Sequence, residues 1–345
     1  MNFAYTATQT ARAAELAALF DRHRAPARLR ARHDTGGDAF DAELWRELAN
    51  GGWIGSASRP DEAGSSDDLT LAASAAGYAL APIPLVATLL AGVPLTAGAH
   101  AAHARDLAAG SLRVALCLPP PQGAAPTLSV AGGRARGTFA PVADGLIADA
   151  LLGADAAGEA WLVDLRAGNA QRRSLATLDL AHSAAELAID GAPAIALGPA
   201  DAWRDRAAIL YAFEQLGGAQ RCLDLAVAYA KERYAFGQPI GAFQAVKHKL
   251  AALHVEIELA RANAYFGAYA LAQNTPALLA EAAALARASA TDTYLLAAQE
   301  SLHVHGGVGF TWACEAHLHL RRARALEAAL GSAAQWRAQL IDSAA

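Results

Sequence analysis

The chain carries its most informative chemistry in the run Glu232-Arg233-Tyr234-Ala235-Phe236-Gly237-Gln238-Pro239-Ile240-Gly241-Ala242-Phe243-Gln244. Helical spacing leads into Arg233. Gly237 stands where a helix C-cap is expected, and Pro239 just beyond it blocks continuation. Arg233 is thus placed at a helix C-terminus, and Gln244 near the start of the next helix. A guanidinium close to a helix start suits a phosphate-bearing ligand. A second run follows about sixty residues later, His305-Gly306-Gly307-Val308-Gly309-Phe310-Thr311-Trp312. A glycine pair by itself is an ordinary helix connector, and a single Arg at a helix end is ordinarily a solvated cation. The two runs in this order carry more than either alone. One carboxylate also invites attention. Glu214 lies between apolar neighbours in Ala208-Ile209-Leu210-Tyr211-Ala212-Phe213-Glu214, and reads as a buried group, either structural or proton-accepting.

The elements that must position these residues are helices on both sides of a strand-rich middle. Residues 9–110 show apolar positions recurring at three and four, with Asp67 or Asp68 as a cap for one helix and Ala81-Pro82-Ile83-Pro84 ending it. Between Ser111 and Leu197 the texture changes to short apolar or alternating runs, bounded by Gly, Pro and Asp: 112–118, 134–142, 145–153, 159–165 and 185–190. From Asp201 onward four helices are expected, over 202–234, 241–272, 276–303 and 313–328, with the stripe Leu223, Ala226, Val227, Ala230 suited to a bundle. Arg321, Arg322 and Arg324 read as solvated surface, and so does Glu327.

The bulk properties exclude several classes. A chain of 345 residues can bury a substantial core in two or three subdomains. A net charge of −5 offers no basic footprint for nucleic acid. The only lysines are Lys231, Lys247 and Lys249, a bias toward Arg that fits GC-rich coding. Cys117, Cys222 and Cys314 are scattered, which argues for a reducing compartment and against a disulfide framework or a metal site. The N-terminus has no signal-peptide run, and its Arg-bearing periodic segment reads as a first domain helix. No apolar stretch has membrane-span character. A cytoplasmic protein is expected.

Taken together, E-R-x-x-F-G-x-P-I-G-x-F-Q, H-G-G-x-G-F-T-W and the Arg321-Arg322 pair resemble the acyl-CoA dehydrogenase family. The resemblance is good over 203–340, fair over the N-terminal third and poor over 108–199. It implies an α+β multidomain fold: an N-terminal helical domain (1–110), a middle β-domain (111–198) and a C-terminal four-helix bundle (199–345). It also implies FAD between the β-domain and the bundle, with the ADP half held by a neighbouring subunit. By motif match, Arg233, Phe236, Gln244, Gly306 and Gly307 would form that ADP-side cradle, with Gly309 in the same run. His303 stands where many relatives have Gln. Arg suits pyrophosphate oxygens, and glycine admits backbone N–H groups to them. The family's reaction is α,β-dehydrogenation of an acyl-CoA thioester: a glutamate takes the α-proton and the β-hydrogen leaves as hydride to the flavin. Electron-transfer flavoprotein or a similar acceptor is the implied electron partner.

The chain departs from the pattern at the chemistry itself. The family's usual base immediately precedes a glycine after the last bundle helix, and here that position is Leu330. The alternative base position, 26 residues before Arg233, is Ala207. Glu214 is the candidate for a relocated base. The family's Thr-Glu-Pro-x-Ala-Gly-Ser-Asp-like run, which contacts the flavin ring, corresponds to Leu116–Gly123 and lacks the Thr, Glu, Ser and Asp. An intact ADP side with an eroded ring side resembles the non-catalytic subunit of heteromeric acyl-CoA dehydrogenases acting on steroid side-chain or other bulky thioesters. The alternatives are a homo-oligomeric dehydrogenase using Glu214, and a scaffold that binds acyl-CoA or protein without hydride transfer.

Overall fold

The computed structural model describes residues 6–24, 26–35, 39–56, 65–92, 100–123 and 128–344. Six helices come first: α1 (Ala7–Arg22), α2 (Pro26–Thr35), α3 (Ala42–Asn50), α4 (Ser65–Ala79), α5 (Leu85–Gly92) and α6 (Ala101–Ala108). α1 opens with a reciprocal capping box between Thr6 and Gln9. Asp67 and Asp68 lie in the first turn of α4 rather than at its cap. There they face the helix dipole and also tie α1 down: Gln9 Nε2 donates to Asp67 at 2.5 Å, and Arg12 pairs with Asp68 at 2.8 Å. The cap position of α4 lies outside the described residues.

The middle segment holds β1 (Val114–Cys117), β2 (Ser129–Ala131), β3 (Arg134–Ala143), β4 (Ala150–Ala154), β5 (Glu159–Asp164), β6 (Asn169–Leu175) and β7 (Ala184–Pro199). The path runs β1-β4-β5-β7-β3-β2, with β6 also on β7. Among the described strand pairs β1–β4 is parallel and the rest antiparallel, with a further isolated parallel bridge between Leu128 and Asp155. β7 is the hinge of this sheet: its first half pairs with both β3 and β6, its second half with β5. The Gly and Pro residues near 191–199, read in sequence as boundaries, are accommodated within this one long strand. β6 has no legible alternation because it is almost wholly exposed. A separate small core fills the fold between the two halves, with Phe139, Val142, Leu151, Val163 and Leu187 at its centre.

The last segment is helical: α7 (Ala200–Glu232), α8 (Gln244–Gln273), α9 (Pro276–His305), α10 (Ala316–Ala328) and α11 (Ala333–Ala344). The first four fall close to their expected places; α11 is an addition to the four-helix bundle read from the sequence. α7 is the axis of the molecule, packed on α4, α8 and α9. Two glycines allow its crossing with α4. A Cβ on Gly77 would stand 1.8 Å from the carbonyl oxygen of Glu214, and one on Gly217 would stand 1.9 Å from that of Ser74. The two backbones therefore touch, and this contact sets the depth of Glu214.

Candidate functional site

A cavity of about 510 Å³ opens where α4 and α5, the β-domain loops, α7 and the C-terminal end of α10 meet. Its lining is mostly apolar, but one wall is a buried ionic chain. Arg322 of α10 donates from Nε to Glu214 Oε1 at 3.0 Å, and its Nη2 reaches the same oxygen. Its Nη1 donates to Asp179 Oδ2 at 2.7 Å. Beyond Asp179 in sequence, His182 shares a 2.7 Å hydrogen bond between Nδ1 and Asp144 Oδ2. All five residues are buried and all line the cavity. Burial pushes the Asp179 carboxyl up, but the charges of Arg322 and His182 and the Ala181 N–H overcome it and hold it below the usual range. Burial and Arg322 push His182 down; Asp144 and Asp179 overcome both and lift it above an ordinary histidine. Arg322 is likewise held more firmly protonated than a free guanidinium, its two carboxylates outweighing burial.

The placement of Arg322 corrects the reading of 321, 322 and 324 as a solvated face. α10 buries Leu318, His319, Arg322, Ala323 and Leu326, so Arg322 lies on the inward stripe at i, i+4 and i+8 with Leu318 and Leu326. That phase was available in the sequence. Arg324 is exposed and pairs with Glu327 at 2.9 Å, so Glu327 is a surface residue as read. Asp144, Asp179 and His182 were missed; Asp144 follows β3, Asp179 and His182 share the loop between β6 and β7, and no local pattern marks them.

Leu330 also lines the cavity, on the α10–α11 connection. Its φ is 56°, a left-handed conformation that a bulky residue rarely adopts. The loop is clamped on both sides. Trp336 Nε1 donates to the Leu330 carbonyl at 3.0 Å, and the buried guanidinium of Arg287 donates to the carbonyls of Leu326 and Ala329. Gly331 is pressed against Pro120, where a Cβ would stand 2.7 Å from the ring. The backbone thus presents position 330 to the cavity, but with an isobutyl group. Ala207 is fully buried and is not among the cavity-lining residues. Glu214 does reach the cavity, with Arg322 forked onto one of its oxygens.

The cofactor-motif residues sit elsewhere. Arg233 caps the end of α7 with extended backbone (φ −80°, ψ 120°). Gly237 does not cap that helix: it belongs to a hairpin, β8 (Tyr234–Ala235) and β9 (Gln238–Pro239). The two turn residues, Phe236 and Gly237, have φ of 53° and 83°, the pattern of a type I′ turn. Phe236 is 97% exposed, a large aromatic ring held bare on a left-handed backbone. Gln244 begins α8 and is exposed, its amide 3.0 Å from His248 Nε2. At the end of α9, Tyr229 packs on His305 with ring centroids 4.5 Å apart, which joins the tips of α7 and α9. Gly306 and Gly307 have open space where a Cβ would stand, whereas Gly309 is packed against Leu302 and His305. His303 is exposed and lies 3.4 Å from Glu300. The Arg233 guanidinium has no ion-pair partner among the described residues. Glu214 and Arg233 are separated by roughly 28 Å of helix at 1.5 Å per residue, and none of the motif residues lines the cavity.

Among the described residues there is no cluster of His, Cys, Asp and Glu able to hold a metal ion, and no helix is long and apolar enough to cross a membrane. Residues 205–344 match the family model of the acyl-CoA dehydrogenase C-terminal domain. Over 318 residues the chain is 36% identical to acyl-CoA dehydrogenase IpdE2 of Mycobacterium tuberculosis, covering 89% of this chain and 88% of that protein. Among solved structures, a variant of the Tcur3481–Tcur3483 steroid ACAD matches with a TM-score of 0.88 at 30% identity, over 98% of this chain and 97% of that one. The ChsE4–ChsE5 complex from Mycobacterium tuberculosis matches with a TM-score of 0.85 at 25% identity, over 100% and 99%. The chain belongs to the acyl-CoA dehydrogenase family, and its helical, β and helical segments form that family's fold.

The residues at the α7–α8 hairpin and the α9 tip fit the ADP end of FAD, the cofactor that the resemblance implies. An unpaired guanidinium suits a pyrophosphate, a bare aromatic ring offers a stacking surface, and open glycine backbone admits phosphate oxygens.

Proposed function

We propose that this chain is the non-catalytic subunit of a heteromeric acyl-CoA dehydrogenase, completing the FAD site of a base-containing partner that acts on a bulky acyl-CoA thioester. The observation that carries the reading is Leu330. The loop that would present the base is held in place toward the cavity, yet its side chain cannot accept a proton. Glu214, the one glutamate lining the cavity, is taken up by Arg322. Arg233, Phe236, Gln244, Gly306 and Gly307 remain open to solvent some 28 Å along α7, where a neighbouring subunit can use them. Two solved relatives that match over nearly their whole length are named as pairs, one of them a steroid ACAD.

In this reading FAD supplies the hydride acceptor when bound. Arg233 would neutralise its pyrophosphate, Phe236 would offer a face to its adenine, and the Gly306-Gly307 backbone would admit its phosphate oxygens. A base-containing partner's carboxylate would take the α-proton, and electron-transfer flavoprotein or a similar acceptor would be the electron partner. The cavity position of Glu214 favours a second reading, a homo-oligomeric enzyme with a relocated base; its fork to Arg322 weighs against that. Flavin content decides. The chain purified alone is expected to be colourless, and to yield a yellow complex when co-expressed with a base-containing acyl-CoA dehydrogenase subunit. A yellow, active homo-oligomer would overturn the proposal in favour of Glu214.

A further inference from the structure

The β-domain wall of the cavity is built more elaborately than a filled-in remnant requires. Asp144 has a left-handed backbone (φ 57°) and grips the 182–183 segment twice. Its N–H donates to the Ser183 carbonyl at 2.7 Å, and its carboxylate holds His182 Nδ1 at 2.7 Å. Arg32 fixes the same loop from behind, donating through Nη1 to the carbonyls of Leu180 and His182 at 2.5 and 2.8 Å. With Nδ1 committed, His182 Nε2 has no partner among the described residues. Ser183 is only 2% exposed, and its Oγ makes no hydrogen bond among the described residues. A buried hydroxyl without a partner costs about 1–3 kcal/mol, and here it belongs to a residue of the cavity wall.

We propose that His182 and Ser183 form a recognition site for a neutral carbonyl oxygen on an otherwise apolar ligand, with Asp144 as the positioning residue for His182. The apolar lining calls for an apolar skeleton. The unpartnered groups on the wall are the Ser183 hydroxyl, a donor, and His182 Nε2, which donates when the ring is doubly protonated; both then suit an acceptor oxygen. Charge selects a carbonyl over a carboxylate or phosphate. Asp144, Asp179 and Glu214 outnumber Arg322 and His182 even when the imidazole is charged, so the wall carries an excess of negative charge; Arg324, also on the lining, is matched by Glu327. The Asp144 and Asp179 carboxylates lift the basicity of His182 and so favour the doubly protonated ring in which Nε2 is a donor. The site is separate from the FAD-cradle residues, so it stands or falls independently of the subunit reading.

The carbonyl could belong to the skeleton of the ligand or to an acyl thioester. Binding of 2-octanone and of octanoyl-CoA to the full chain distinguishes these, with 1-octene as the carbonyl-free control. The readouts are affinity, the ring-nitrogen NMR shift of His182, and the carbonyl stretch of ¹³C=O-labelled ligand in difference infrared spectra. The expected result is a lowered carbonyl frequency and a shifted Nε2 resonance with at least one carbonyl probe. 1-Octene should bind roughly threefold to tenfold more weakly than 2-octanone, the worth of one neutral hydrogen bond. S183A should lose a comparable factor, and H182F should abolish the infrared shift. D144N should move the His182 titration downward and weaken the infrared shift without abolishing binding. A response to 2-octanone assigns a skeletal ketone; a response to octanoyl-CoA alone assigns the thioester. If neither probe binds, or if a bound probe leaves the His182 resonance and the carbonyl frequency of the wild-type chain unmoved, the proposal is wrong. The wild-type spectra decide even where a variant fails to fold.

Discussion

Replacing Arg322 by methionine removes three hydrogen bonds to two carboxylates while keeping most of the side-chain volume. The side chains of Glu214 and Asp179 are 7% and 5% exposed, so water cannot take over the role of the guanidinium. Breaking a buried pair in this way costs about 3–5 kcal/mol, because it leaves uncompensated buried charge. The pH dependence is specific. In the native chain Asp179 is held below the usual carboxylate range, so its contribution is present at pH 7 and is lost as pH falls through that depressed value. In Arg322→Met the burial that pushes the Asp179 carboxyl up is opposed only by His182 and the Ala181 N–H, so the variant's deficit should shrink between pH 7 and pH 5 as that carboxyl takes up a proton. Adding Glu214→Gln to Arg322→Met should recover part of the loss, because an amide is cheaper to bury than an unpaired carboxylate. Urea denaturation of the native chain, each single variant and the double variant at both pH values supplies the comparison. A deficit below about 1 kcal/mol for Arg322→Met, the scale of an exposed pair, or a deficit that grows toward pH 5, would refute the buried network as drawn.

Three further outcomes are expected. Arg233→Ala should weaken FAD retention in the assembled complex by about one to two decades, the worth of a charge-assisted contact; equilibrium flavin titration checks this, and unchanged affinity in a folded variant removes Arg233 from the cradle. The isolated chain should not reduce a dye with acyl-CoA substrates, and Leu330→Glu should add little despite the ~10²–10⁴-fold reach of a general base, because the ring-side polar residues near 118–123 are also missing. Burial, with Arg221 and Arg24 nearby, pushes His319 down to about 3. It therefore stays neutral in the fold while its unfolded counterpart protonates near 6.5, so stability should fall by roughly 2 kcal/mol between pH 7 and pH 5 from this residue, measurable as the difference between native and His319→Phe in urea melts at the two pH values.

The sequence by itself determined what depends on contiguous residues. The long bundle helices follow from period and breakers, since an amphipathic stripe and a Pro or Gly act within a few residues. Arg233 and Gln244 lie one at a helix end and one at a helix start because the intervening run cannot be helical, though only the structure shows that Gly237 serves a hairpin turn with Phe236 and not a cap. Leu330 was legible as the residue at the position where the family resemblance expects a base, because it stands beside its glycine, and a leucine has no acid–base chemistry in any surroundings. The tertiary structure alone decided the cavity wall. Glu214, Arg322, Asp179, His182 and Asp144 come from α7, α10 and two β-domain loops, and are joined by the Arg322 hydrogen bonds to Glu214 and Asp179 and by the loop that Arg32 ties down. Glu214 alone reads as buried from its apolar neighbours; the other four, read locally, belong at a surface, because an isolated buried charge is prohibitive. Only when the fold places them within hydrogen-bond reach of one another does burial become tolerable, and that compensation is a property of distances that no run of neighbouring residues encodes.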